Sequence, residues 1–249
     1  MVLDRSGSMN SIRDDVIGGF NSFVAEQKAQ PGECRLTMIQ FDSQGVDHLY
    51  VASPIADVKP MQQADFVPRG GTPLFDAIGQ AIGETETRIT AKKTAEVQLF
   101  VIITDGDENS SNRYSKRQIA EMIETKQGQG WVFTFLGANL DAYRAGESIG
   151  IGAKNVSSFA ANQGGTAAAY ASVSSNTAGM RSAVMHGATG QSVSDAGFYS
   201  FAGKGAETYM HGGSQNSVGI DVDSLPPIPP DVAAGITVKV EPPEDDQQA

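Results

Sequence analysis

Three short segments, far apart in the chain, carry oxygen-bearing side chains at spacings that suit a hard cation. The first is Asp4-Arg5-Ser6-Gly7-Ser8, directly after the apolar pair Val2-Leu3. The second is Gly70-Gly71-Thr72-Pro73, and the third is Thr104-Asp105-Gly106, which closes the apolar run Val97 to Ile103. Asp4, Ser6, Ser8, Thr72 and Asp105 together offer two carboxylates and three hydroxyls, with no nitrogen or sulfur. That donor set suits Mg²⁺ or Mn²⁺ and not zinc or copper. An oxygen site that keeps open or water-filled positions can recruit a carboxylate from a partner.

The elements around these residues must bring them to one place. In D-x-S-x-S after a strand, alternate side chains point toward one spot. Asp105 ends a second strand, and Thr72 opens a helix with Pro73 at its first position. In open α/β sheets, ligands sit in the crevice beyond the carboxyl ends of the strands, where all three segments would lie. Asp4-x-Ser6-x-Ser8, Thr72 and Asp105, in this order, resemble the metal-ion-dependent adhesion site of von Willebrand factor A (vWA) domains, of a bacterial or phage type. The resemblance covers about residues 1–160. It implies a Rossmann-like, mostly parallel central sheet with helices on both faces. It also implies a Mg²⁺ or Mn²⁺ ion held by those five residues, the two aspartates directly or through waters. The expected partner is a protein that offers an Asp or Glu side chain.

Each residue also has a plainer reading. Asp4, Ser6 and Ser8 could cap a helix that starts near Met9; three alternate positions are more than one cap needs. Thr72 before Pro73 could be a helix cap, and Asp105 before Gly106 a turn aspartate. Asp107 and Glu108 read as a solvated acidic loop, the alternative being support for metal-bound waters. Asp42 and Asp47 read as surface charges, and Arg69 as a solvated arginine. His48, His186 and His211 show no metal-binding spacing. Trp131 and the lone Cys34 read as core residues.

The periodicity supports the α/β reading. Ile12, Val16, Ile17, Phe20, Phe23 and Val24 fall on one helical face, stopped by Pro31-Gly32. Arg35 to Phe41 and Val46 to Ile55 read as strands, with a hairpin turn expected near Ser43-Gln44-Gly45. Leu74, Ile78, Ala81 and Ile82 mark a second helix. Val97 to Thr104 and Trp131 to Leu136 read as buried strands. Ser115 to Gln118 forms a capping-box pattern for a helix that carries Ile119, Met122 and Ile123. A short helix near Leu140 to Ile149 and a strand near Asn155 to Phe159 follow. Strands that alternate with helices imply parallel packing.

The expected organisation is a vWA domain over 1–160, a Gly/Ala/Ser-rich extension over 161–220 and an acidic tail over 221–249. The extension holds a helix over 166–185, and no periodicity is legible from Gly187 to Gly219. The tail, with Pro-Pro-Ile-Pro-Pro and Pro-Pro-Glu-Asp-Asp, reads as disordered. Only Met1, Val2 and Leu3 precede Asp4, fewer than the about 5–6 residues of an ordinary strand. The expectation is a sequence that starts late, against a domain that tolerates a short strand.

Composition narrows the function. A net charge of −11 over 249 residues argues against nonspecific binding to nucleic acid or anionic lipid. No apolar stretch approaches the roughly 20 residues of a membrane span. No leader is visible, and a single cysteine forbids an internal disulfide. Together these suggest a cytoplasmic protein. No catalytic role is expected, because the sequence shows no nucleophile–base pair and no phosphate-cradling G-x-x-x-x-G-K loop. A haloacid-dehalogenase-type phosphatase is the enzyme alternative, but it needs a second Asp where Ser6 stands. A structural or assembly component with an incidental metal site is the third reading.

Overall fold

The computed structural model describes residues 1–92, 96–139 and 141–200. The sheet is built from β1 (Val2–Asp4), β2 (Arg35–Asp42), β3 (Gly45–Pro54), β4 (Leu99–Thr104), β5 (Val132–Ala138) and β6 (Val156–Phe159). Their order is β3-β2-β1-β4-β5-β6. Only β3, joined to β2 by the tight turn at Ser43-Gln44, runs antiparallel. All other pairings are parallel.

The helices are α1 (Arg13–Ala29), α2 (Leu74–Lys92), α3 (Lys116–Gln127), α4 (Ala142–Ser148), α5 (Gln163–Met185) and α6 (Gly190–Ala196). Side chains alternate across a strand, so each strand feeds two apolar layers. Leu3, Val101, Ile103 and Leu136 pack in one layer with Phe20 and Val16 of α1 and Tyr170 and Val173 of α5. Val2, Phe100, Ile102, Phe133 and Phe135 pack in the other with Leu74 and Ile78 of α2, Ile119 and Ile123 of α3 and Ala142 of α4. This is the α/β architecture expected from the sequence, a mostly parallel sheet with helices on both faces.

The first strand is short but central. Val2 and Leu3 pair with Ile39 and Gln40 on one side and with Ile102 and Ile103 on the other. Asp4 pairs with Phe41. The shortest interior strand therefore delivers the first site loop between its two neighbours.

After residue 160, α5 lies along α1. Gly19 makes this possible, because a Cβ there would stand 2.3 Å from the Tyr170 ring. The Gln27 amide donates to the Ser174 carbonyl and hydroxyl, both at 3.0 Å. The Arg181 guanidinium donates to the carbonyls of Gln27, Pro31 and Gly32 at 2.7–2.9 Å, which ties α5 to the last turn of α1 and the loop after it. The sequence shows no period from Gly187 to Gly219, yet α6 forms there, with Thr189 accepting from the Ser192 N–H. Seven residues with one buried apolar side chain, Val193, are too few to display a period. Leu140, the rest of the extension and the tail over 221–249 lie outside the described residues.

Candidate metal centre

Asp4 ends β1 and is fully buried. Its Oδ1 accepts the Ser6 N–H at 2.7 Å, a short-range turn that swings Ser6 and Ser8 back over the strand end. Its Oδ2 accepts the Thr104 hydroxyl at 2.6 Å. The Ser6 and Ser8 hydroxyls lie 3.1 Å apart, and Ser8 donates to Asp105 Oδ1 at 2.7 Å. Thr72 enters from the side. A Cβ built on Gly106 would lie 3.6 Å from Thr72 Oγ1 and 3.7 Å from Ser8 Oγ. The fold thus brings all five sequence-predicted side chains, Asp4, Ser6, Ser8, Thr72 and Asp105, to one cluster at the strand ends.

The three loops are laced together by backbone bonds. Arg69 N–H donates to the Arg5 carbonyl at 2.8 Å, and Gly7 N–H to the Gly70 carbonyl at 3.0 Å. Gly70 has φ +65°, a conformation that glycine takes without strain. Gly71 is crowded instead: a Cβ there would stand 2.5 Å from Ser110 Oγ and 2.8 Å from Asn109 Oδ1. Asn109 grips Thr72 at both backbone groups, accepting its N–H at 2.8 Å and donating to its carbonyl at 3.2 Å.

Thr72 does not start α2 in the way the sequence suggests, since the helix begins at Leu74 after Pro73. The free N–H groups of its first turn are met by the β4–α3 loop. Phe75 N–H donates to Glu108 at 3.0 Å and Asp76 N–H to the Ser111 hydroxyl at 3.1 Å. The Thr72 hydroxyl is therefore spared for the cluster.

Glu108 is not the solvated acid expected. Besides Phe75, it accepts the N–H groups of Ser110 and Ser111 and the Ser111 hydroxyl at 2.6–2.8 Å. Asp107 is exposed, in line with that expectation. Asp42 is likewise no surface charge. It is fully buried and pairs with Arg5 Nε at 2.8 Å and Arg69 Nε at 2.9 Å. Arg69, 43% exposed, is thus an ion-pair partner and not a free solvated side chain. Asp47 stays at the surface, 57% exposed, 2.7 Å from Arg5. Trp131 is buried as expected, and Cys34 is half-buried. His48 contacts Glu84 at 2.6 Å on the sheet's flank.

Burial acts on both carboxylates of the cluster. Burial pushes the Asp4 carboxyl up to about 6, and the nearby Asp105 charge adds to the rise. Hydrogen bonds from Thr104 and Ser6 oppose it. Burial also raises Asp105, against the pull of the Ser8 hydroxyl. Two desolvated carboxylates beside neutral hydroxyls create a demand for positive charge. The donors at the cluster are all oxygen, which fits a hard divalent cation. Among the described residues, no three His, Cys, Asp or Glu side chains gather to hold a metal.

Sequence reasoning gave no separate role to Thr104, Asn109 or Arg5, and favoured solvated charges for Glu108, Asp42 and Arg69. Thr104 had a readable signal: a hydroxyl that ends an apolar strand one residue before Asp105. The others had none, because their partners are remote in sequence.

The fold has the mostly parallel α/β sheet that the resemblance to vWA domains implies. A six-stranded sheet with one antiparallel edge carries the D-x-S-x-S loop on a central strand, with Thr72 and Asp105 beside it. No known family description and no curated protein matches the chain. Among solved structures it is similar to proximal thread matrix protein 1 from the mussel byssus, in two structures with TM-scores of 0.49. The identities are 13% and 14%, and 71% and 70% of this chain is covered. One of the two is described as having a zinc-occupied MIDAS motif. The chain spans less than half of that protein's length, 44% and 46%. It is also similar to the SpRpn10 VWA domain, with a TM-score of 0.44 and 11% identity over 67% of this chain and 89% of that one. At these values no residue role carries across. Among the described residues, no helix is long and apolar enough to cross a membrane.

Proposed function

We propose that this protein is a metal-dependent protein-interaction module that binds a partner's Asp or Glu side chain through a divalent cation. Mg²⁺ or Mn²⁺ would be held by Asp4, Ser6, Ser8, Thr72 and Asp105. The observation that carries this reading is the meeting of two desolvated carboxylates and three hydroxyls from three loops. Two carboxylates roughly balance a divalent ion, and neutral hydroxyls leave it electrophilic toward one more carboxylate. Mg²⁺ keeps exchangeable waters in octahedral oxygen geometry, so a partner oxygen can replace one. The residues' task is to bind and orient, with no nucleophile–base pair required.

The chain's own groups set the terms. Thr104 and the Ser6 N–H hold Asp4 from two sides. Asn109 holds Thr72, and Arg5 and Arg69 tie their loops to Asp42. A net charge of −11 favours a protein partner over nucleic acid or an anionic membrane. The one free cysteine suits the cytoplasm.

The test is capture of partners from the native host's extract with and without EDTA, with Thr72→Val alongside. Valine removes one hydroxyl at nearly constant volume. Capture should need the metal and be lost in Thr72→Val, with circular dichroism unchanged. Capture that survives both EDTA and Thr72→Val sinks this reading in favour of a metal-independent scaffold.

A further inference from the structure

We infer that Thr104 is the positioning residue of the centre: its hydroxyl fixes Asp4 and couples it to the Asp105–Gly106 turn. This rests on the metal reading above and adds a residue outside the ligand set.

β1 and β4 are parallel neighbours, with Val2 opposite Ile102 and Leu3 opposite Ile103. Continuing that register sets Asp4 opposite Thr104 at the strand ends. Both residues are fully buried. The Thr104 hydroxyl donates to Asp4 Oδ2 at 2.6 Å and accepts the Gly106 N–H at 3.2 Å. One hydroxyl therefore links the carboxylate of the first loop to the backbone of the third.

The consequence for Asp4 is geometric. Its Oδ1 is held by Ser6 N–H and its Oδ2 by Thr104, donors from different segments, with the Ser6 hydroxyl also bonded to the carboxylate. The plane of the carboxylate is thereby fixed. Each oxygen keeps lone-pair capacity for the cation or for its waters. Without the hydroxyl, Oδ2 and the Gly106 N–H lose a partner in a place that water reaches poorly, and Asp4 is free to turn about its side-chain bonds. Partners of this kind, outside the ligand set, typically command about 10–100-fold in metal affinity.

Two substitutions separate positioning from mere packing. Thr104→Val keeps the shape and removes the hydroxyl. Thr104→Ser keeps the hydroxyl and removes a buried methyl. Mn²⁺ affinity is measured on the full chain by electron paramagnetic resonance titration, with thermal unfolding as a second readout. Thr104→Val should weaken Mn²⁺ binding at least tenfold, and Thr104→Ser should hold it within about threefold although it unfolds at a lower temperature. A structural role alone would make affinity follow thermal stability in both variants. If Thr104→Val binds Mn²⁺ like the unaltered chain, the positioning role is wrong while the metal reading stands. If the unaltered chain binds no Mn²⁺, both fall.

Discussion

Asp4 and Asp42 end adjacent parallel strands, and both are fully buried. Their surroundings differ in sign. Asp42 meets two guanidinium groups, Arg5 at 2.7–2.8 Å and Arg69 at 2.9 Å. Asp4 meets the hydroxyls of Thr104 and Ser6, a backbone N–H and the charge of another aspartate. One carboxylate is neutralised within the protein, and the other is left wanting a cation. The contrast separates a structural clasp from the centre proposed to bind metal. Both arginines belong to site loops, so the clasp at Asp42 holds the first and second loops beside the centre without giving it positive charge.

The largest effect that tests the contrast is loss of the clasp. Asp42→Asn leaves Arg5, only 8% exposed at its side chain, with the exposed Asp47 as its remaining charged partner. Removing one member of a buried pair costs about 3–5 kcal/mol, and the half-exposed Arg69 moves the expectation to about 3 kcal/mol. Urea unfolding measures it. A loss below about 1 kcal/mol would show that Asp42 and Asp4 are not as different as their neighbours imply.

Asp4 should respond in the opposite direction. Its folded-state carboxyl lies at about 6, above the ordinary 3.8. Between those values the folded chain binds a proton that the unfolded chain releases, so lowering the pH favours folding. The metal-free protein should gain about 2–3 kcal/mol from this group as pH falls from 7 to 4, and lose it again as pH rises through 6. Asp4→Asn should flatten that part of the profile and leave the metal-free chain at least as stable at pH 7. Saturating Mg²⁺ should remove the gain, because the cation competes with the proton. Unfolding curves from pH 4 to 8, with EDTA and with Mg²⁺, decide it. A metal-free profile of unchanged slope in Asp4→Asn would break the comparison.

The five clustered side chains were legible because their cues are local: alternate positions after an apolar pair, a Thr before a Pro, an Asp that ends an apolar run. The sheet was legible for the same reason, since strand periods and turn residues recur within short windows. The clasp was not. Asp42 lies 37 residues from Arg5 and 27 from Arg69, and an Asp at a strand end before a turn looks like a surface charge. Only the pairing of β1 beside β2 brings it to the D-x-S-x-S loop. Glu108 shows the same limit, since Phe75 is 33 residues away. The fit of Gly19 to Tyr170 depends on two helices meeting, which neither helix encodes alone.

Glu108 supplies the smallest test and a third kind of acid. Among the described residues it pairs with neither arginine nor another carboxylate; its oxygens take the N–H groups of Phe75, Ser110 and Ser111 and the Ser111 hydroxyl. Those donors include the second residue of α2, where a negative side chain also meets the positive end of the helix. Glu108→Gln keeps the length but replaces one acceptor oxygen with an NH₂ group that faces other donors. Two or more of these bonds are then broken or bent, partly relieved by solvent, for an expected loss of about 1–2 kcal/mol. Mn²⁺ affinity should stay within about threefold, because Asn109 still grips Thr72 and Thr104 still holds Asp4. Urea unfolding and Mn²⁺ titration of the same variant give the two numbers. A large drop in affinity with little loss of stability would move Glu108 out of the structural group and make it an electrostatic part of the centre, as Asp4 is.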